Sequence, residues 1–508
     1  MARTAYRWAQ WGDLNAFFGL MLDNVTNLVI LSGLLVGGFG YPVDKVYTLM
    51  IPGTALGVLI GDLIYTWLAF KLARESGNSD VTAMPLGLDT PSTIGITIAV
   101  LGPVYVETKD ATLTWQVGMA TLMLIGVIKL VLSFFGDWVR RRVPQAGLLG
   151  SLAGIGIALL AFFPLMKVFS APVVGLVSLG IILYALVAGR RLPFGIPGAF
   201  LAVAAGCLIF YLTGAFHLFG ARLVVPKLAI NAAFPVPTLG FLAGLGKALG
   251  FLPIAFPFAL LTIVGGINVT ESARVAGDRY QTRDILLTEA IATMVAALFG
   301  GVAQSTPYIG HPAYKAMGGR AAYTLATGLF VGLGGALGII SFVVEAIPEA
   351  AITPILMFVG IEIVSQAFVE TPSRHAPAVA FATIPVVAYL VLINLDGVMG
   401  KLGPAVKFPE TLVSEQLILR AAANGFILTA MLWGALLADL LDGKLRRASL
   451  YGFICALFSL FGVIHSVSPA GDVYLPWNVG TALPWQIALG YGAMAVFFSA
   501  VSREGRSR

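Results

Sequence analysis

Charge is the first thing this chain lacks. Of its 508 residues only 11% are Asp, Glu, Lys or Arg, less than half the share of about 25% that clothes a soluble domain. With 58% of the residues hydrophobic, too little polar surface is left to keep a fold of this size in water, so a soluble enzyme is excluded. Cysteine is nearly absent: Cys207 and Cys455 lie inside hydrophobic runs, and no disulfide framework or redox compartment is legible from them. Histidine is scarce at four residues, and no second histidine or paired-carboxylate motif joins any of them at ligand spacing. No metal, no cofactor and no catalytic group is therefore expected. Basic runs with interleaved aromatics are missing too, which removes nucleic acid as a partner. The formal net charge of +6 reads instead as a topology signal at the cytoplasmic face.

Apolar sequence is what the chain has, in about sixteen blocks of roughly 17–25 residues, the length of helix that crosses a bilayer core of about 30 Å. The expected class is an all-α integral membrane protein with the lipid bilayer as its solvent. The first block, near 14–39, is too long for a cleaved signal peptide and keeps polar residues at its middle. Most Lys and Arg residues, among them Arg7, Lys71, Arg74, Arg140, Arg141 and Arg142, fall on one side of the alternating blocks. That bias predicts a multi-pass protein of the inner (plasma) membrane with cytoplasmic N- and C-termini. Two longer connections, 216–248 and 395–420, read as Pro-rich linkers between bundles. Glycine (59) and proline (27) are abundant, as membrane helices allow where backbones pack closely or a helix is broken.

Ionisable residues inside such blocks are costly and become functional candidates. The sequence offers Asp23, Asp62, Asp89, Lys129, Glu271, His311, Glu362 and Asp439. Asp62 and Lys129 are candidates for an internal pair, and Glu362 and Asp439 sit near span ends. The others have company. Leu22-Asp23-Asn24-Val25-Thr26-Asn27 in the first span and Ile267-Asn268-Val269-Thr270-Glu271-Ser272 in the eighth both set Asn-Val-Thr beside a carboxylate. The third span opens Met84-Pro85-Leu86-Gly87-Leu88-Asp89-Thr90-Pro91, and the tenth opens Ser305-Thr306-Pro307-Tyr308-Ile309-Gly310-His311-Pro312. Each stretch brackets a glycine and an ionisable residue between prolines, so neither can be continuous helix. Short extended segments leading into half-helices are predicted. The pair of motifs recurs in order roughly 220–245 residues later and, after an odd number of spans, in the opposite orientation, which is the mark of an inverted repeat with a substrate site at the broken segments. A secondary-active transporter of a small polar molecule follows as the expectation.

The runs Gly265-Gly266-Ile267-Asn268, Gly300-Gly301-Val302, Ser305-Thr306-Pro307-Tyr308 and Met317-Gly318-Gly319-Arg320 resemble the xanthine/uracil permease family, and within it the bacterial hypoxanthine/guanine permeases. Thr353-Pro354-Ile355-Leu356-Met357-Phe358-Val359-Gly360 and the run from Ala146 to Gly156 resemble the same family. The resemblance covers most of residues 14–440. It implies seven plus seven spans, with a core bundle (spans 1–4 and 8–11), a gate bundle (5–7 and 12–14) and a substrate between the short segments of spans three and ten. On this scheme residues 1–215 are the first repeat, 216–248 an extracytoplasmic connector, 249–440 the second repeat, and 441–508 an added C-terminal hairpin and tail. The implied activity is proton-coupled uptake of a nucleobase such as a purine, xanthine or uracil-like heterocycle. A sulfate-permease-like anion or carboxylate transporter is the alternative, since those proteins share the architecture. The implied substrate residues are Asp23, Asn24, Leu88, Asp89, Thr90, Asn268, Glu271, Tyr308, Gly310 and His311, with Glu271 and Asp23 as proton carriers. The family's span-eight acid aligns near Ile263–Ile267, whereas this chain's carboxylate comes later, at Glu271. Homodimerisation is left open.

Overall fold

A computed structural model describes residues 6–135, 145–190, 192–193, 196, 198–220, 223, 232–308, 310–402, 408–469 and 471–504. Among these, nine helices are long and apolar enough to cross a membrane, or eleven if each of two sharply bent helix pairs is one span. The protein is thus a multi-pass, nearly all-helical membrane protein. Fewer full-length helices form than the blocks suggested, for local reasons. Two spans are interrupted by extended backbone, and the blocks at Thr282–Leu298 and Leu445–Leu460 yield helices of only 17 and 16 residues.

Helix α1 runs over Gly12–Gly38 and α2 over Val43–Ser76. Strand β1 (Leu86–Leu88) leads into α3, residues 90–108, and then α4 (Ala111–Ser133). Further on come α5 (Leu252–Val275), α6 (Thr282–Leu298), strand β2 (Ser305–Pro307), the short α7 (His311–Ala316) and α8 (Ala322–Ala336). The prolines act where expected. Pro85 precedes β1, Pro91 and Pro312 lie in the first turns of α3 and α7, where a missing N–H costs nothing, and Pro307 closes β2.

The two broken segments meet. β1 pairs antiparallel with β2, Leu86 opposite Pro307, Gly87 opposite Thr306 and Leu88 opposite Ser305. The ladder extends at both ends, through Asp89 N–H donating to Gln304 C=O at 3.0 Å and Tyr308 N–H to Pro85 C=O at 2.8 Å. Antiparallel pairing of two strands that each open into a helix is the geometry a two-fold axis in the membrane plane produces.

The chain forms two compact units, Met1–Arg140 with Pro164–Phe358, and Arg141–Phe163 with Val359–Arg508. Residues from Pro164 to Phe358 pack within the first unit. Tyr211 OH donates to Ala346 C=O at 2.6 Å, and Lys167 pairs with Glu349 at 2.5 Å.

In the second unit, helix α9 (Ala376–Leu402) extends well into the stretch read as a linker, and α10 (Glu410–Ala423) occupies its end. Residues 403–407 lie outside the described residues. A 62° bend separates α10 from α11 (Phe426–Leu441), made at Gly425 with φ +73°, a left-handed conformation that glycine adopts without strain. Helices α12 (Leu445–Leu460) and α13 (Leu483–Glu504) form the C-terminal hairpin, joined by hydrogen bonds of 2.8 Å from Ser449 Oγ to Ala495 C=O and between the Ser449 and Ser499 hydroxyls.

The loop of this hairpin is fastened to the bend. His465 N–H donates to Asn424 C=O at 3.0 Å, and Asn424 Nδ2 donates to the carbonyls of Ser466 and Ser468 at 2.8 and 3.0 Å. His465 Nδ1 lies 2.7 Å from Ala421 C=O, its Nε2 lies 2.8 Å from Tyr491 OH, and Trp433 Nε1 donates to that oxygen at 2.6 Å. A carbonyl only accepts, so Nδ1 carries the proton, and in the neutral imidazole Nε2 accepts from Tyr491.

Burial of His465 holds its imidazole below the ordinary value, opposed in part by the bond to Ala421. The folded state then binds fewer protons than the unfolded state as pH falls. The His465 contribution to stability is therefore full above about pH 6.5 and is lost toward the lower folded-state value, by up to about 1.4 kcal/mol per pH unit. Thermal unfolding of the detergent-solubilised protein, followed downward from about pH 8 over roughly three units, is expected to show this loss. His465→Asn, which tolerates the positive φ of this position, is expected to flatten it.

Candidate functional site

Extended backbone inside a membrane protein must find partners for every N–H and C=O, and here α1 supplies those the strand pair leaves over. Asn24 Oδ1 accepts from Leu88 N–H at 3.1 Å, while its Nδ2 donates to Leu20 C=O at 3.0 Å and lies 3.5 Å from Leu86 C=O. One turn on, Asn27 Nδ2 donates to Leu88 C=O at 3.4 Å and to Asp23 C=O at 3.1 Å. The two amides grip β1 along its outer edge.

Beneath β2 lies a charged network. Lys129 on α4 and Glu289 on α6 form an ion pair of 2.6 Å with both side chains fully buried. Lys129 Nζ also donates to Ser305 C=O of β2 at 2.9 Å and to Thr293 Oγ1 and Gln304 Oε1 at 3.2 Å each. Gln304 Nε2 then donates to Asp89 Oδ2 at 3.3 Å. Asp89 caps α3, its Oδ2 accepting from Ser92 N–H at 2.9 Å, which sets a negative charge at a helix N-terminus where the dipole favours it.

The expected site residues divide into two groups. Asp23, Asn24, Leu88, Asp89, Thr90, Tyr308 and Gly310 gather at the strand pair. The Asp23 carboxylate stands over Gly87: a methyl group added to Gly87 would meet Asp23 Oδ2 at 3.1 Å and the Tyr308 ring at 3.7 Å. Asp23 Oδ2 is buried and accepts no hydrogen bond from the described residues. Leu88, Asp89 and Thr90 are buried, and Gly310 lies against the rings of Tyr308 and Tyr314. Asn268 is half-buried on α5, two residues beyond Gly266, which faces Pro307 of β2.

The remaining two lie elsewhere. Glu271 was expected as a desolvated proton carrier. Its side chain is 42% exposed and ion-paired with Arg274 one turn later, close to the end of α5 at Val275. His311 was expected to face a ligand, or to bond Asp89. It is fully buried and turned to the other side of β2, with Nε2 3.2 Å from Thr82 C=O and 3.3 Å from Asp278 Oδ2. Asp278 also accepts from Thr82 N–H at 3.1 Å and pairs with Lys315 at 2.7 Å, so this histidine ties α7 to the approach to β1. The proposed Asp62–Lys129 pair is likewise replaced by Lys129–Glu289.

Sequence reasoning missed Glu289, Gln304 and Asn27. Glu289 is the one acid in the block 285–301, and the rule that flags Lys129 flags it equally. Gln304 carries no charge, and no sequence rule marks an amide one residue before a strand of three. Among the described residues no group of three or more His, Cys, Asp or Glu is placed to hold a metal ion.

The chain shares its fold with solved anion transporters. The transmembrane domain of a cyanobacterium bicarbonate transporter, BicA, matches with a TM-score of 0.53 and 17% identity over 76% of this chain and 96% of that one. SLC26A9 matches at 0.51 and 13% identity, over 77% of this chain and 64% of that one. The murine Solute Carrier 26 family member A9 anion transporter in its inward-facing state matches at 0.50 and 13% identity, over 79% and 70%. No family model matches the chain, and no curated protein does. The architecture is the seven-plus-seven inverted repeat of these transporters.

These findings correct two expectations. The chain is not placed among the xanthine/uracil permeases, and nucleobase uptake loses its support, since the solved structures that share the fold are described as bicarbonate and anion transporters. The motifs behind the resemblance have a structural explanation. Gly301 lies where a methyl group would stand 2.7 Å from Thr54 N, and Gly150 where it would stand 2.7 Å from the Ala382 methyl. Such glycines serve close helix packing, which any protein of this architecture needs whatever it carries.

His311→Gln is expected to lower thermal stability by about 1–3 kcal/mol, the cost of leaving buried polar groups unpaired, while ligand affinity stays unchanged. Glu271→Gln is expected to cost less than about 1 kcal/mol, as for an exposed ion pair. Thermal-shift curves of the two purified variants, with and without ligand, check both.

Proposed function

We propose that the protein is a secondary-active transporter of a small anion, an inorganic oxyanion or a carboxylate, bound at the β1–β2 pair. The observation that carries this reading is the position of Lys129. It is the one fully buried Lys or Arg side chain among the described residues, and it lies against the strand pair in a fold whose solved examples include anion transporters. Asp23, Asn24, Leu88, Asp89, Thr90, Tyr308 and Gly310 are the substrate-facing candidates, with Asn268 at the margin on α5.

The charge balance supports a coupled proton. Asp23, Asp62, Asp89 and Glu289 outnumber Lys129 around the strands, so an arriving anion would add charge of the same sign in a low-dielectric setting. A proton on Asp23, whose Oδ2 has no other partner among the described residues, removes that repulsion, and anion and proton then cross together. On this reading the protein sits in the inner membrane with cytoplasmic termini. Residues 1–215 and 249–440 are the two repeats, joined by 216–248, and 441–508 are an added hairpin and tail.

Uptake into proteoliposomes tests the proposal. Labelled sulfate, bicarbonate and short carboxylates are offered beside hypoxanthine and uracil. Saturable uptake of an anion, accelerated by an inward proton gradient, is expected, and Asp23→Asn is expected to make the rate independent of pH. Uptake of hypoxanthine or uracil without any anion would overturn the reading.

A further inference from the structure

The Lys129–Glu289 pair alone has a plain structural use, holding α4 to α6. What exceeds that use is Gln304. Its side chain stands between a group that only donates and a group that accepts: Lys129 Nζ 3.2 Å from Oε1, and Asp89 Oδ2 3.3 Å from Nε2. The amide orientation is thereby fixed without ambiguity, carbonyl toward the ammonium and N–H toward the carboxylate. Its dipole is aligned with the field between them, and bonds in such a chain strengthen one another in a low-dielectric interior. The backbone repeats the link, with Asp89 N–H donating to Gln304 C=O at 3.0 Å. Gln304 is fully buried, as are Lys129 and Glu289, so no water screens the chain.

Asp89 follows β1 and Asp23 stands over its middle residue, Gly87, yet their surroundings differ. Asp89 Oδ2 receives Ser92 N–H and the Gln304 amide; Asp23 Oδ2 receives nothing from the described residues. The charged and titratable groups on the elements packed around β1 are Asp23 on α1, Asp62 on α2, Lys129 on α4, Glu289 on α6, Tyr308 after β2 and Tyr314 on α7. Lys129 is the one cation in that set, and Gln304 is its route to Asp89.

We propose that Gln304 is a positioning residue that relays the charge of Lys129 to Asp89, keeping Asp89 as the charged cap of α3 and leaving Asp23 as the carboxylate that gains and loses the transported proton. The relay divides the labour between two neighbouring acids of the same chemistry. It rests on the transport reading above for its functional consequence, but its electrostatic content does not.

Two variants test it. Gln304→Met keeps the volume and removes the relay while the ion pair remains. The double variant Lys129→Met with Glu289→Met removes the cation as a neutral pair, an exchange that buried ion pairs often tolerate, and leaves Gln304 in place. Gln304→Met is assayed for anion uptake and for thermal stability, and the double variant for thermal stability, all across pH. With the relay cut, Asp89 joins Asp23 in taking up protons. In Gln304→Met the pH of half-maximal uptake and the acid limb of the stability curve are then expected to move upward by about one unit, a tenfold change in proton concentration, with the maximal rate retained, and in the double variant the acid limb is expected to move likewise. If either folded variant keeps the wild-type pH dependence in every measurement made on it, the relay is overturned. A lower maximal rate with an unmoved pH dependence also overturns it, since that is what a merely structural glutamine would give. Should wild-type protein take up no anion at all, the transport reading fails, and the stability curves still decide the relay.

Discussion

Everything around the candidate site follows from the need to satisfy backbone hydrogen bonds where water is scarce. Four prolines, at 85, 91, 307 and 312, make two spans unable to continue as helix, and the extended backbone that results exposes N–H and C=O groups that a bilayer cannot accept. The protein meets that need by pairing the two stretches with each other. It then closes the free edge of β1 with Asn24 and Asn27 and anchors β2 through the Lys129 ammonium on Ser305. The polar residues near the strands are thus first of all the partners of a broken backbone. A small polar ligand at this place would find donors and acceptors already oriented.

The same requirement explains how charge is distributed. A lysine and a glutamate buried together are tolerable only with close contact and further hydrogen bonds, and Lys129 has these from Thr293, Gln304 and Ser305. Asp89 is accommodated by a helix N-terminus and an amide. Asp278 is accommodated by Thr82, His311 and Lys315 on the other side of β2. Asp23 Oδ2 has no partner among the described residues and stands over Gly87 of β1, which is why the proposed reading gives it the proton; the oxygens of Asp62 on α2 lack hydrogen-bond partners too.

The outer hairpin obeys a related rule. The bend at Asn424–Gly425 leaves polar backbone at a break between helices, and the loop carrying His465 supplies the matching groups. A histidine held at φ +57° is a strained choice for a loop, and it is sustained by its backbone N–H on Asn424, by Nδ1 on Ala421 and by Nε2 on Tyr491.

The sequence by itself determined the membrane class, the broken third and tenth spans and their meeting as short strands, because those depend on composition, block length and the position of proline, all local properties. It also singled out Asp23, Asn24 and Asp89, which the fold brings to the strand pair, since an ionisable or amide residue in the middle of an apolar block has few bland explanations. It misjudged Glu271 and His311, because whether a polar residue near a span end faces a cavity, a neighbour or water depends on helix rotation and on where the apolar layer stops. It did not find Gln304, and it gave Lys129 the wrong partner, since Asp62, Glu289 and Gln304 are all far from Lys129 along the chain and only packing chooses among them. The glycine runs suggested a substrate that the fold does not require: close helix approach selects glycine in every transporter of this architecture, whereas the cargo is read by a handful of side chains whose directions only the tertiary structure sets.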